Sequence, residues 1–196
     1  MFFKRKNAVS KIIVGLGNPG RQYEKTRHNA GFMALDVLCD EFNASLKKIR
    51  FKSFTDTVSI ENHSVLLMAP QTYMNLSGEA VKMAMDYYSI EPKDIITISD
   101  DIELELGVVR IRRKGSHGGQ KGLKDIYHFA KTNEIPRIKI GVGKKPHPDY
   151  DTASWVLSKF SDNELKIINN SLKNIGDIIK LMVSEDIEKA MNLYSK

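Results

Sequence analysis

The first residues able to do chemistry follow an apolar strand pattern at 12–14 and a glycine-rich turn. Asn18, Tyr23 and His28 come at five-residue intervals along this stretch. A neutral histidine accepts a proton from water near neutral pH, and a side-chain amide can stabilise the oxyanion that forms on an attacked carbonyl. These residue types predict hydrolysis of an ester or an amide by activated water. The alternative for His28 is a histidine that only caps or packs at the start of a helix.

Two more polar clusters follow predicted strands. Tyr73 and Asn75 come after one strand pattern, and Asp100 and Asp101 come directly after another. Groups just beyond the strand ends of an open α/β sheet converge on one crevice, so we expect both clusters beside His28. A carboxylate bonded to the far ring nitrogen would fix the tautomer of the histidine and favour the imidazolium that forms.

Three other chemistries are disfavoured. No serine or cysteine stands in a nucleophile-elbow pattern such as G-x-S-x-G. The histidines show no metal-ligand spacing and there is no C-x-x-C pair, so no metal site is predicted. Residues 15–20 fit the dinucleotide fingerprint G-x-G-x-x-G, which needs a helix to start on the glycines. The polar stretch 21–27 lacks apolar periodicity and disfavours a nucleotide-dependent oxidoreductase.

Alternating strand and helix patterns predict the elements that position these groups. Strands are predicted at 11–14, 56–60, 64–68, 94–99, 108–112 and 137–142, and helices near 28–42, 78–89 and 121–130. Ser161 and Glu164 form a capping box that opens a C-terminal helix, with an inward apolar face from Leu165 to Met182. We therefore expect one α/β domain over 1–196, with a mixed twisted β-sheet flanked by helices and a C-terminal helical segment.

The composition favours a globular cytoplasmic protein. The chain has 196 residues, of which 41% are hydrophobic and 28% charged, as is typical of one soluble domain. The N-terminal stretch 1–11 has no apolar run long enough for a signal peptide, and no segment is long enough to span a membrane. The single cysteine, Cys39, lies on the apolar face of a predicted helix and cannot form an internal disulfide.

The positive charge is concentrated in one region. The net charge is +6, and the stretch 107–145 holds 11 lysines and arginines against Asp125 and Glu134, so the rest of the chain is net negative. Glycines among these basic residues allow close approach of the backbone to phosphates. The charge pattern fits two interpretations equally, a phosphate-binding surface for nucleic acid and a solvated face on a basic protein.

Five motifs together resemble the bacterial-type peptidyl-tRNA hydrolase family. They occur in the family's order and cover nearly the whole chain: IIVGLGNPGRQYEKTRHNAGF (12–32), PQTYMNLSGEAV (70–81), DDIELELGVVRIRRKGSHGGQKGLKDI (100–126), PRIKIGVGKKP (136–146) and WVLSKF (155–160). The resemblance implies an α/β fold, a monomer, and an esterase that uses no metal or other cofactor. The implied reaction cleaves the ester between a peptide and the 3′ end of tRNA, which recycles tRNA from aborted translation.

The resemblance also implies roles for individual residues. His28 matches the general base of the family. Asp101 matches the acid that supports this histidine, and Asp100 stands where the family is less strict. Asn18 matches the amide that recognises the blocked amino end of the substrate, and together with Asn75 it would orient the substrate.

Tyr23 and Tyr73, like Asn75, match positions that line the site for the peptide and the terminal nucleotides. The chain departs from the family where G-G-H-N-G is usual, because Gln120 and Lys121 stand there instead of histidine and asparagine. Lysine cannot accept a hydrogen bond and adds a charge. We therefore expect Lys121 to contact a phosphate or a backbone carbonyl of the substrate.

An RNA-binding factor with the same fold and no activity is the alternative function, and it differs in not needing His28 for turnover. Under the hydrolase interpretation the basic stretch 107–145 binds peptidyl-tRNA, and no membrane partner is expected. A free aminoacyl-tRNA carries a charged amino group where a peptidyl-tRNA presents an amide. Burying an unpaired ammonium costs several kcal/mol, so the hydrolase interpretation predicts cleavage of N-blocked substrates only.

Overall fold

A computed structural model describes residues 9–195 of the chain. The expectation that the N-terminus carries no signal peptide rests mostly on residues 1–8, which lie outside the described residues. Within residues 9–195, no helix is both long and apolar enough to cross a membrane.

One mixed sheet of seven strands forms the centre of the molecule. The strands are β1 (Lys11–Gly15), β2 (Lys48–Arg50), β3 (Ser53–Ile60), β4 (His63–Pro70), β5 (Ile95–Asp101), β6 (Val109–Arg112) and β7 (Arg137–Gly141). Their order is β2-β3-β4-β1-β5-β7-β6. The four central strands are parallel, while β2, β3 and β6 each pair antiparallel with a neighbour. The predicted mixed sheet is confirmed.

Helices cover both faces of this sheet. They are α1 (Ala30–Glu41), α2 (Ser77–Tyr88), α3 (Lys121–Ala130), α4 (Thr152–Leu157), α5 (Asp162–Ser171), α6 (Ile175–Val183) and α7 (Ile187–Tyr194). Alternate residues of β1 point to opposite faces. Ile13 packs in one apolar layer with α1 and the C-terminal helices, and Ile12 and Val14 pack in the other layer with α2 and α3. Because both faces of β1 are buried, its pattern is continuously apolar.

The glycine turn after β1 does not begin an α-helix. A short 3-10 helix at Arg21–Tyr23 follows the turn, and a second one at Arg27–Asn29 precedes α1. The expected absence of a dinucleotide-type helix start is therefore confirmed. His28 lies in the second 3-10 helix, two residues before the start of α1, so the helix predicted near 28–42 begins slightly later than expected.

The C-terminal segment differs from the single long helix that was predicted. Its capping box at Ser161 and Glu164 is confirmed, and apolar positions between Ile168 and Met182 are buried. However, α5 ends at Ser171, and a 3-10 turn at Leu172–Asn174 separates it from α6. Strand β2 and helix α4 were also missed, because each is too short to show a periodic pattern.

The start of α1 lies directly against the sheet. A Cβ atom at Gly31 would stand 2.4 Å from the backbone oxygen of Ile98 and 2.4 Å from the backbone nitrogen of Leu16. Only a glycine allows this approach, which holds the 3-10 helix of His28 close to the end of β5.

We expect Gly31→Ala to lower the free energy of unfolding by about 2–3 kcal/mol, because the added methyl group must push backbone away from backbone. Urea titration followed by circular dichroism measures the change. Asp40→Ala, at an exposed position of the same helix, is the control and should change stability little. A stability of Gly31→Ala equal to that of the wild type would contradict the close packing.

Candidate active site

A cavity of about 710 Å³ opens at the carboxyl ends of the parallel strands. Every site residue predicted from the sequence lines it, namely Asn18, Tyr23, His28, Tyr73, Asn75, Asp101 and Lys121. Asp100, Gln120, Lys139 and one side of α4 also line it. The expected convergence of the three polar clusters is confirmed.

A buried, hydrogen-bonded pair of His28 and Asp100 forms the floor of this cavity. The Nδ1 atom of His28 lies 2.9 Å from Oδ2 of Asp100, and both side chains are buried. When Nδ1–H donates to the carboxylate, the lone pair of Nε2 is left for a water molecule in the cavity. The partner of His28 is therefore Asp100, and the expectation that Asp101 supports this histidine is wrong.

Strand geometry explains why Asp100, and not Asp101, contacts His28. Both aspartates lie in β5, the strand that ends at Asp101, and adjacent side chains of a strand point to opposite faces. Asp101 forms an ion pair with Lys139 and accepts a hydrogen bond from the backbone N–H of Glu103 at 2.8 Å. It still lines the cavity, but its carboxylate is directed to a different partner.

Gln120 is a part of the site whose role the sequence did not reveal. Its Nε2 donates to Oδ1 of Asp100 at 3.0 Å and lies 3.2 Å from the sulfur of Met74. Its Oε1 accepts from the backbone N–H of Leu123 at 2.8 Å, which caps α3. The departure of this position from the family motif was visible in the sequence, but its contact with Asp100 needed the fold.

The glycine turn is held by two asparagines. Oδ1 of Asn18 accepts from the backbone N–H of Met74 at 2.9 Å. The carboxamide of Asn29 accepts from the backbone N–H of Asn18 and donates to its carbonyl, at 2.9 and 3.0 Å. Since Oδ1 of Asn18 is already engaged, the groups that this side chain offers to the cavity are the N–H donors of its amide. Asn29 was not identified from the sequence.

Helix α4 forms a wall of the cavity and is fastened to the 3-10 helix of His28 through Arg27. The guanidinium donates to Oγ of Ser158 at 3.1 Å and to Oε1 of Glu164 at 2.7 Å. It also stacks on the ring of Trp155, at 3.8 Å from the centroid. Because Arg27 precedes His28 in the chain, this cluster positions the floor and the wall of the cavity together.

The tyrosines and amides of the rim are more open than the floor. The side chains of Tyr73, Asn75 and Lys121 are exposed, while Tyr23 is half-buried. Lys139 is the other cation of the lining. Several basic residues of the stretch 107–145 have partners within the protein: ion pairs at the exposed surface join Arg113 to Glu188, Lys114 to Glu134 and Lys144 to Glu105, and Arg137 is buried.

Cys39 is unsuited to act as a nucleophile. Burial, together with the nearby carboxylates of Asp36 and Asp40, raises the pKa of its thiol to about 11. The thiol is therefore protonated at neutral pH and unreactive. Among the described residues, no group of three or more histidine, cysteine and acidic side chains is placed to hold a metal ion.

Sequence and structure comparisons agree on one family. The family model described as peptidyl-tRNA hydrolase matches residues 12–196. A peptidyl-tRNA hydrolase of Caldicellulosiruptor bescii is 45% identical over 181 residues, covering 92% of this chain and 94% of the relative. One of Rhodopirellula baltica is 43% identical over 185 residues, covering 94% and 97%. A crystal structure of the peptidyl-tRNA hydrolase of Acinetobacter baumannii superposes with a TM-score of 0.88 at 35% identity, covering 96% and 97%.

We expect the Arg27–Glu164 contact to make the free energy of unfolding depend on pH in the acidic range. Burial raises the pKa of Glu164, but hydrogen bonds from Ser161 and Arg27 outweigh burial, so this pKa lies below its usual value. A lowered pKa means that the stabilisation is complete above the unfolded-state pKa of about 4.3 and is lost as the pH falls below it.

The measurement is the free energy of unfolding between about pH 6 and pH 3, near the ordinary carboxyl range. Glu164→Gln should lose less stability than the wild type across this interval. Glu188→Gln, which removes the exposed pair with Arg113, is the control and should follow the wild-type curve. Parallel curves for the wild type and Glu164→Gln would contradict the expectation.

Proposed function

Since the chain belongs to the peptidyl-tRNA hydrolase family, we propose that it hydrolyses the ester between a peptide and the 3′ end of tRNA, with His28 as the general base. The observation that supports this proposal most is the chain of contacts from Gln120 to Asp100 to His28 at the floor of the cavity. A histidine whose Nδ1 is held by a carboxylate is oriented to take a proton at Nε2.

In the proposed reaction, Nε2 of His28 removes a proton from a water molecule while the oxygen of that water attacks the ester carbonyl. Asp100 stabilises the imidazolium that forms. The tetrahedral intermediate then collapses, the bond between the carbonyl carbon and the ribose oxygen breaks, and the imidazolium returns its proton to the 3′ oxygen. The products are tRNA and the free peptide, whose new carboxyl group releases the remaining water proton to solvent, and His28 is neutral again.

Asn18 is proposed to recognise the peptide side of the ester. Its Oδ1 is engaged by the backbone of Met74, so it presents N–H groups, which suit a carbonyl oxygen of the substrate. An N-blocked substrate supplies such a carbonyl on its blocking amide, whereas a free aminoacyl group has an ammonium at that place. If the N–H donors of Asn18 faced an ammonium, neither group would have an acceptor, and leaving them without hydrogen bonds in a partly buried site costs free energy. Asn75, Tyr23 and Tyr73 are proposed to orient the rest of the substrate.

The RNA is proposed to bind along the basic stretch 107–145, entering beside Lys121 at the rim. Lys121 is proposed to contact a phosphate or a carbonyl of the substrate, because a lysine supplies donors and charge. The proposal includes action as a monomer in the cytoplasm without a metal or other cofactor.

The second candidate function is an RNA-binding factor without turnover. It is considered because Gln120 and Lys121 replace residues that are usual in the family motif. The intact pair of His28 and Asp100 favours the hydrolase, since RNA binding alone does not require a buried histidine–carboxylate pair.

The roles of the two aspartates can be separated by isosteric substitutions. We expect His28→Ala and Asp100→Asn each to lower kcat by about 10²–10⁴, because the base is removed or its tautomer is lost. Asp101→Asn, which breaks the pair with Lys139, is the matched control and should cause a much smaller loss. The measurement is release of N-acetyl amino acid from N-acetyl-aminoacyl-tRNA in the presence of EDTA.

Two outcomes would count against the proposal. A larger loss in Asp101→Asn than in Asp100→Asn would reverse the assignment of the supporting carboxylate. If the wild type binds tRNA but cleaves nothing, the protein is the RNA-binding factor instead.

Selectivity for the blocked amino end is a separate expectation. Wild-type protein should cleave N-acetyl-aminoacyl-tRNA and leave the unblocked aminoacyl-tRNA with the same amino acid intact. Asn18→Ala should lower kcat/KM on the blocked substrate, since the donor to its carbonyl is gone. Initial rates with the two substrates at equal concentration measure the ratio. Equal rates on both substrates in the wild type would contradict the proposed role of the Asn18 amide.

A further inference from the structure

The strongly exposed apolar side chains are unevenly distributed. Among the described residues, eight large ones are strongly exposed: Ile49, Tyr73, Leu76, Met83, Tyr87, Leu157, Ile167 and Leu193. Tyr73 and Leu157 line the cavity, and Ile49 lies on the edge strand β2. Three more, Leu76, Met83 and Tyr87, lie on α2 or directly before it, so five of the eight lie at the cavity or along this helix. An exposed apolar patch of this kind marks an interaction surface.

Leu76, Met83 and Tyr87 form one line along α2, which we name the α2 stripe. They are 47%, 42% and 63% exposed. Spacings of seven and four residues place side chains on the same side of a helix. Tyr73, three residues before Leu76, belongs to the lining of the cavity. The α2 stripe therefore begins at the mouth of the cavity and leads away from it.

Two of the cations beside the α2 stripe are paired with carboxylates, and a third, Arg50, lies over the ring of Tyr87 at 4.9 Å and donates to the hydroxyl of Tyr88. Nζ of Lys52 lies 2.6 Å from Oε1 of Glu79, and Lys82 forms an ion pair with Asp86 one turn further along the helix. Binding to RNA phosphates draws its strength from cations that exchange small counterions for the phosphate. Because two of these three cations are paired with carboxylates and Arg50 is held against aromatic rings, the surface suits an uncharged chain better than a nucleic acid.

The side chains of the α2 stripe also suit a ligand of variable sequence. Methionine is flexible and fills irregular contacts, and surfaces that accept many partners use it for that reason. Tyrosine offers a large apolar area together with a polar tip. A polypeptide of arbitrary sequence is the ligand that such a surface accommodates.

We infer that the α2 stripe carries the peptide part of the substrate beyond the residue whose ester is cleaved. The inference rests on the proposed function, which places the ester at His28 and leaves the rest of the peptide to exit through the mouth. From Leu76 to Tyr87 the helix rises about 16 Å, a distance that an extended peptide covers in about five residues. Turnover therefore improves as about five residues are added beyond the cavity, and then levels off.

The test compares two substrates on the same tRNA, N-acetyl-alanyl-tRNA and an N-acetylated octapeptidyl-tRNA built from alanine and leucine. The readout is the ratio of kcat/KM for the long substrate to that for the short one. We expect a wild-type ratio of about ten, since removing about 50–60 Å² of apolar surface from water accounts for a factor of this size. In the double variant Met83→Gln with Tyr87→Gln the ratio should approach one.

Two further variants keep this test interpretable. Leu193→Gln changes an equally exposed apolar residue on α7, in the other helical layer, and should retain the wild-type ratio. Met83→Gln alone leaves the ring contact between Tyr87 and Phe51 in place and should lower the ratio by about threefold.

The remaining outcomes overturn the inference. A ratio that stays at the wild-type value in the double variant shows that the α2 stripe does not touch the peptide. An equal loss on the long and the short substrate shows that it contacts the tRNA or only supports the fold. If the wild type cleaves neither substrate, the proposed function itself fails, which is distinct from normal cleavage with an unchanged ratio.

Discussion

The buried carboxylate of Asp100 is the interaction on which the rest of the site depends. Its residue is only 3% exposed, and an ionised carboxylate without partners at such a place would cost several kcal/mol. Each of its oxygens has one donor, His28 for Oδ2 and Gln120 for Oδ1. His28 precedes α1 and Gln120 caps α3, and these helices cover opposite faces of the sheet. The end of β5 thus joins the two helical layers at the reaction centre.

The fold could be predicted from the sequence wherever the burial of an element produces a recognisable pattern of apolar residues. The run at the start of β1 is apolar because Ile13 and its neighbours Ile12 and Val14 serve two different layers. The sequence gives no such signal for β2, whose residues Lys48–Arg50 are all exposed. The break after α5 was also invisible, because the inward apolar spacing continues through the 3-10 turn at Leu172–Asn174.

The site could be predicted as a set of residues but not as a set of contacts. Choosing between Asp100 and Asp101 required the register of β5, since a shift of one residue in a strand reverses the face. Ile96 and Ile98 pack in the layer of α1. Asp100 is two residues further along β5 and lies on the same face of the sheet, so its carboxylate is directed to the side where α1 begins. The contact of Gln120 was equally hidden, because it joins residues twenty positions apart through the fold.

The contrast between floor and rim follows from what a peptidyl-tRNA hydrolase must accept. The ester is common to all its substrates, and the groups proposed to act on it, His28 and Asp100, are buried and held by hydrogen bonds. The peptide and the tRNA vary, and the residues proposed to contact them, such as Tyr73 and Lys121, are exposed at the mouth. Fixed donors would discriminate among peptides, because each unmatched polar group costs free energy. An open apolar stripe beside a rigid floor instead allows one geometry of attack on many chains.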